Sequence, residues 1–362
     1  MVYARIKGVE VDDQFEDDEQ YTAELSPVID PASETPISIT LINYTADSVT
    51  ERSDISATAC QSFLSGDSFT WIHVQGQPRP SMMLEFGRLF HLHPLALEDV
   101  ITLGERSKTE TYENQILVIL GMPTKQGTKI INEQVSLFLG RNFLVSFHKG
   151  ETDPFRAVRR RLHHPQAPLR HQKLDYLLYV LVDVIIDRSF PIIDEFDDEI
   201  EQVEQELFGP EGVETFQTLY TIKRELLVLR LKLRPQREAI RALIRDDNDL
   251  LSEHTKLYLR DCYDHVIRLI DIIEIYRDMT SHMLDVHLSM VNQKTFVSNE
   301  VQRKATVWAM LFSPLTFITG IYGMNFLNMP ETHWANGYIY VISGMVIIGT
   351  VLAIVFKKRK WL

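Results

Sequence analysis

The residues best placed for chemistry lie near the end of the chain, where Asn299, Gln302, Ala305, Ala309, Ser313, Thr316 and Gly320 recur at intervals of three and four. That spacing puts them on one stripe of a helix, and every one is small or polar. Such a stripe can line a path through a membrane, or it can let two helices pack closely through small residues. The amides of Asn299 and Gln302 gain nothing from an apolar contact, which weighs for the path, but the stripe alone leaves both readings open. No nucleophile with its base and orienting partner stands out, nor a phosphate loop or a pair of catalytic carboxylates. His91 with His93, and His163-His164 beside Arg159-Arg160-Arg161, lack a third ligand and read as surface or core histidines rather than a zinc site. The acidic run from Asp194 to Glu199 reads as a solvated helix face.

The elements that must position the stripe are membrane spans. Over 362 residues the chain is 45% hydrophobic and 24% charged, and its mean hydropathy of -0.09 hides an asymmetry: nearly all the long apolar sequence lies beyond residue 300. A first span is predicted over 305–324 and a second over 338–356, joined by a short link, 325–337. Arg303-Lys304 precede the first span, and Lys357-Lys358-Arg359-Lys360 open the basic tail 357–362 after the second. By the positive-inside tendency both ends, and so both termini, face the cytoplasm and the link faces outside. Two spans cannot enclose a path within one subunit, so a channel requires a ring of subunits.

Upstream, no glycine occurs between Gly212 and Gly320, and only Pro235 and Pro314 interrupt the run, which predicts long helices. One helix could run from about Leu250 to Phe312 and measure roughly 90 Å. Its part before the membrane, 251–304, reads as a stalk, and 166–250 as acidic and basic helices. The first 165 residues read as α/β, with an acidic segment and the first strands in 1–60 and the rest of the domain in 61–165. Strands are predicted at Ile37–Ile42, Phe69–Val74 and Gln115–Leu120, and a hairpin joins Gln134–Gly140 to Asn142–His148. His93-Pro94 starts a helix. The fold class is α+β: an α/β cytosolic domain, very long stalk helices and two C-terminal membrane helices. The N-terminus has no apolar core of the signal-peptide kind, so the bulk of the chain is expected in the cytoplasm. A net charge of -13 argues against a nucleic-acid partner, and Cys60 and Cys262 lack metal-binding or disulfide spacing.

At the outer end of the first span, Tyr322-Gly323-Met324-Asn325-Phe326 followed by Met329-Pro330-Glu331 resembles the signature of the CorA family of magnesium channels. The likeness extends through Ser313-Pro314-Leu315-Thr316-Phe317-Ile318, back to Arg260-Asp261-Cys262-Tyr263-Asp264 and to His93-Pro94-Leu95 with Glu98-Asp99, so it covers roughly residue 70 to the end. The resemblance implies a funnel-shaped homopentamer in the cell membrane, passing Mg2+ and, as further cargo, Co2+ and Ni2+. It places a selectivity ring on Asn325, with Gly323 and Met324 shaping the turn, and a lower pore asparagine on Asn299. Neutral oxygens suit that role, because Mg2+ sheds its water reluctantly and ring carboxylates would hold it too tightly to release. Glu331 either raises the local cation concentration or is an ordinary loop glutamate.

The resemblance also implies a gate, in which cytosolic Mg2+ bridges neighbouring subunits at Asp99 and Asp261, with Glu98 and Asp183 as contributors, and holds the ring closed. The chain departs from the family in two places. Gln302, Ala305 and Ser313 are polar or small where bulky apolar residues are usual, and the stalk between Asp285 and Asn299 is a few residues longer than the family pattern. Two alternatives stand beside this reading. One is a zinc transporter of the same superfamily, against which Met324 argues because that branch carries Gly-Ile-Asn. The other is a membrane-tethered cytosolic binding or signalling module, which would need no polar stripe.

Overall fold

A computed structural model of the chain describes residues 37–64, 68–102, 104–150, 152–207, 212–324, 329–359 and 361. The chain divides into two compact units, Met1–His282 and Met283–Leu362.

The first unit is organised by a seven-stranded sheet. Its strands are β1 (Ser38–Tyr44), β2 (Val49–Ser53), β3 (Phe69–Gln75), β4 (Lys108–Tyr112), β5 (Gln115–Gln126), β6 (Lys129–Leu139) and β7 (Phe143–His148), in the order β2-β1-β3-β7-β6-β5-β4. The sheet is mixed: β3 and β7 run parallel and every other neighbouring pair is antiparallel. The hairpin expected across Gly140-Arg141 forms, with Leu139 opposite Leu144. A tight turn at Gly127, whose φ is 60°, joins β5 to β6 and suits a residue free of a Cβ. The edge strands β2 and β4 carry no apolar alternation. Their sequences, Val-Thr-Glu-Arg-Ser and Lys-Thr-Glu-Thr-Tyr, are polar, as befits strands that must discourage further pairing.

Period-two alternation sends Leu41, Ile72, Val74, Leu117, Ile119, Phe138 and Phe147 to one face, where α1 (Pro80–Phe90) and α2 (Pro94–Ile101) close the core with Met83, Phe86, Ala96 and Val100. His91 ends α1 in the left-handed conformation at φ 51°, and Leu92 N–H returns to the Gly87 carbonyl at 3.0 Å. Two residues on, His93 caps α2 by accepting from Leu95 N–H at 3.3 Å. Next comes α3 (Arg156–His163), and α4 (Leu174–Asp187), α5 (Ser189–Glu206) and α6 (Gly212–Arg245) then cover the other face of the sheet.

The longest element is α7 (Glu253–Tyr322), 70 residues without a break. Its start is tied to α4: buried Asp175 accepts from Ser252 N–H at 3.0 Å and from the Thr255 hydroxyl at 2.8 Å, and Ser252 Oγ in turn accepts from Thr255 N–H at 3.2 Å. In the second unit α7 is followed by a short 3-10 turn, Pro330–His333, and by α8 (Gly337–Lys358). Both α7 and α8 contain a window long and apolar enough to cross a bilayer.

Candidate functional site

The second unit divides the circumference of α7 into faces. Val307 is buried, and Leu311, Pro314, Leu315 and Ile318 are half-buried. These residues share one side of the helix, and Leu315 approaches Gly349 of α8 closely enough that a Cβ there would sit 4.0 Å from its Cδ1. On α8 the matching half-buried or buried positions are Val341, Gly344, Met345, Gly349, Leu352, Ala353 and Phe356. Asn299, Gln302, Ala305, Ala309, Ser313, Thr316 and Gly320 are all exposed. At 3.6 residues per turn their stripe centres about 180° round the helix from the face turned to α8. Helix packing against α8 therefore does not use it. Trp308 and Phe312, stacked at 6.0 Å, flank the stripe on one side and are exposed.

The helical pattern carries on to the motif. Gly323 N–H bonds the Thr319 carbonyl at 3.0 Å and Met324 N–H bonds that of Ile321 at 3.1 Å. Met324 is exposed. Asn325 lies outside the described residues, as does the side chain of Glu331.

The carboxylates singled out in the first unit fall in two places. Asp183 and Asp187 lie one turn apart on α4, Asp261 and His265 one turn apart on α7, and the two pairs face each other. His265 Nδ1 is 3.9 Å from Asp187 Oδ1 and its Nε2 is 3.8 Å from Asp261 Oδ2. Ligand atoms of Asp183, Asp187 and His265 all lie within 4.8 Å of one another, a spacing that could hold a metal ion. Burial first, then the charge of Asp187, raises the pKa of Asp183. The buried Cys262 thiol, 3.7 Å from Asp183, is likewise pushed up by burial and by that carboxylate. Carboxylate oxygens fit a hard cation such as Mg2+, and the imidazole widens the set toward Co2+, Ni2+ or Zn2+. Asp187 and His265 were missed in the sequence. The signal was there, since each stands four residues after a residue already singled out.

Asp99 is elsewhere, on α2, and is engaged: Lys108 Nζ lies 2.7 Å from its Oδ2. Glu98 beside it is exposed. The end of α2 is held by three side chains from other elements. Gln134 donates to the Asp99 carbonyl at 3.0 Å, Lys149 to those of Ile101 and Thr102 at 3.1 and 3.2 Å, and Gln77 to Ile101 at 3.4 Å.

Of the histidine pairs singled out in the sequence, one member of each has a structural partner. His93 stacks on Tyr112 at 4.8 Å, and His163 pairs with Glu51. Within the acidic run, Glu195 and Glu199 hold Lys125 at 3.1 and 2.6 Å. Ser146, His73 and Asp153 do line up, with His73 Nδ1 2.9 Å from Ser146 Oγ and Nε2 3.5 Å from Asp153. Ser146 is 0% and His73 2% exposed, and Trp71 Nε1 already donates to the serine at 3.0 Å, so no substrate reaches them.

Comparison with known proteins settles the family. The sequence profile of the CorA-like Mg2+ transporter protein family matches residues 66–358. The chain belongs to this CorA-like family. A cobalt/magnesium transport protein CorA from Thermotoga maritima is 38% identical over 326 residues, covering 90% of this chain and 92% of its own. A putative metal ion transporter, YfjQ, from Bacillus subtilis is 30% identical and covers 80% of this chain and 89% of its own. The complete structure of the CorA magnesium transporter from Methanocaldococcus jannaschii shares the fold, with a TM-score of 0.68 and 21% identity over 89% of this chain and 98% of its own. The ZntB cytoplasmic domain from Vibrio parahaemolyticus, at TM-score 0.55 and 15% identity, covers 70% of this chain and 99% of its own and is alike in fold alone. The CorA-like family is one of membrane transporters, and α7 and α8 supply the apolar helices such a protein needs.

Proposed function

We propose that the chain forms a homopentameric, funnel-shaped channel that moves hydrated Mg2+, with Co2+ and Ni2+ as further cargo, across the cell membrane. The observation that carries this reading is the exposed polar stripe from Asn299 to Gly320, opposite the face of α7 that α8 occupies. A stripe left unused within the subunit is what a ring of subunits needs in order to line a shared path. Asn325 selects the ion there, with Gly323 and Met324 shaping its turn and Asn299 at the lower end of the pore. Neutral oxygens accept hydrogen bonds from the water shell and let the ion go. Glu331 would add cation attraction in the outer link. Both termini face the cytoplasm, consistent with Lys357, Lys358 and Arg359 at the end of α8.

Cytosolic Mg2+ closes the channel by bridging subunits at Asp99 and Asp261, with Glu98 and Asp183 assisting, because an ion bound better by the closed ring shifts the population toward it. The cluster of Asp183, Asp187, Asp261 and His265 supports a cation site at this level. Ion flux through the reconstituted protein across a range of internal Mg2+ tests both halves. Asn325→Ala should abolish Mg2+ selectivity, and Asp261→Ala should conduct at internal Mg2+ that shuts the unmodified channel. Selective conduction by the first variant would overturn the selectivity role, and unchanged closure of the second would overturn the sensor.

A further inference from the structure

The ion pair at Asp99 points to a device that sets how much Mg2+ closes the channel. Alternation along β4 places Lys108, Glu110 and Tyr112 on one face of the edge strand, turned toward α2. Lys108 Nζ sits among three carboxylates: Asp99 at 2.7 Å, Glu110 at 3.0 Å and Glu105 at 3.8 Å. Glu110 is itself fixed, since its other oxygen accepts from the Tyr112 hydroxyl at 2.8 Å, and Tyr112 stacks on the α2 cap residue His93. One ammonium among three carboxylates leaves negative charge uncompensated, and exposed Glu98 lies next to Asp99.

We propose that Lys108 is an internal competitor for the cytosolic cation at Asp99. Without the divalent ion it neutralises Asp99. When the ion takes that carboxylate, the ammonium stays with Glu110 and Glu105. Displacement is cheap because the lysine keeps two partners, but the pair still has to be broken, and this weakens the site. A sensor must release its ion when internal Mg2+ falls, so a built-in competitor tunes it to a useful range. The inference rests on the reading of Asp99 as part of the sensor.

The test measures protection of the purified full-length protein from limited proteolysis as Mg2+ is titrated, alongside flux through the reconstituted channel. Lys108→Met should lower the Mg2+ midpoint of both by about 2- to 5-fold, the scale of a partly exposed ion pair. Lys108→Arg, which keeps a cation there, should stay close to wild type and guards against a folding defect in the first variant. Asp99→Asn should raise the midpoint, and adding Lys108→Met to it should then have no further effect. If Lys108→Met leaves the midpoint unchanged while Asp99→Asn shifts it, the competitor role is wrong and the sensor reading stands. If Lys108→Met lowers the midpoint equally in the Asp99→Asn background, the lysine acts through general charge and the proposal falls. If Asp99→Asn shifts nothing, the sensor reading of Asp99 itself fails.

Discussion

At the scale of single residues, Asp183 carries a conflict that a cation would relieve. Burial and the nearby Asp187 raise its pKa above the ordinary value of 3.8. An acid with a raised folded pKa favours the fold at low pH, and that contribution is lost as the pH climbs past its unfolded value. At neutral pH the metal-free protein is therefore destabilised by this carboxylate, and a divalent ion beside it reverses the sign. Asp183→Asn should raise the melting temperature in chelator at pH 7 by about 2–4 °C, while the further rise on adding Mg2+ should shrink. Melting curves in the two conditions check this. A lower melting point in chelator would mean the carboxylate is a structural acceptor instead.

At the scale of elements, the centre of the sheet and the membrane helices each make a prediction. His73 on β3 is 2% exposed, and burial lowers its pKa from 6.5 to about 3, outweighing the opposing pull of Asp153; His148 and Arg159 act with burial. A base with a depressed folded pKa leaves full stability above its unfolded value, here 6.5, and costs stability as the pH falls from there toward 3. The slope reaches up to about 1.4 kcal/mol per pH unit. His73→Gln should flatten the fall of the denaturation midpoint between neutral and acid pH, and an unaltered slope would assign that fall to other groups.

The two faces of α7 predict opposite phenotypes. Thr316→Leu, on the exposed stripe, should cut Mg2+ flux by about tenfold or more with the melting temperature held, because an apolar side chain obstructs a hydrated path. Gly349→Leu, beside Leu315, should wedge α8 away from α7 and lower stability by about 1–3 kcal/mol. Flux and melting measured on both variants check the pair. Loss of stability in Thr316→Leu with flux intact would mark the stripe as a packing face.

At the scale of the whole molecule, the proposed path exists only between subunits. Five copies of a 42.0 kDa chain give about 210 kDa, which native mass spectrometry in detergent should record. A monomer that conducts no ions would favour the tethered-module reading. In the proposed pentamer, closure would bring like charges together, so removing divalent ions should loosen the assembly and adding them should tighten it.

What could be read directly from the residues is whatever depends on neighbours along the chain. The apolar spans, the three-and-four spacing of the stripe, the run from Gly212 to Gly320 without a glycine and the hairpin at Gly140 are local periodicities, and helices and hairpins obey local rules. The polar edge strands β2 and β4 escaped because an edge needs no apolar alternation. The side of α7 that α8 leaves exposed, the meeting of Asp183 and Asp187 with His265, and the engagement of Asp99 by Lys108 were decided only by the tertiary structure. A carboxylate reads the same in sequence whether it faces a lysine, another acid or water. Its partner is chosen by which elements pack together, and that choice fixes whether it is free to take a cation.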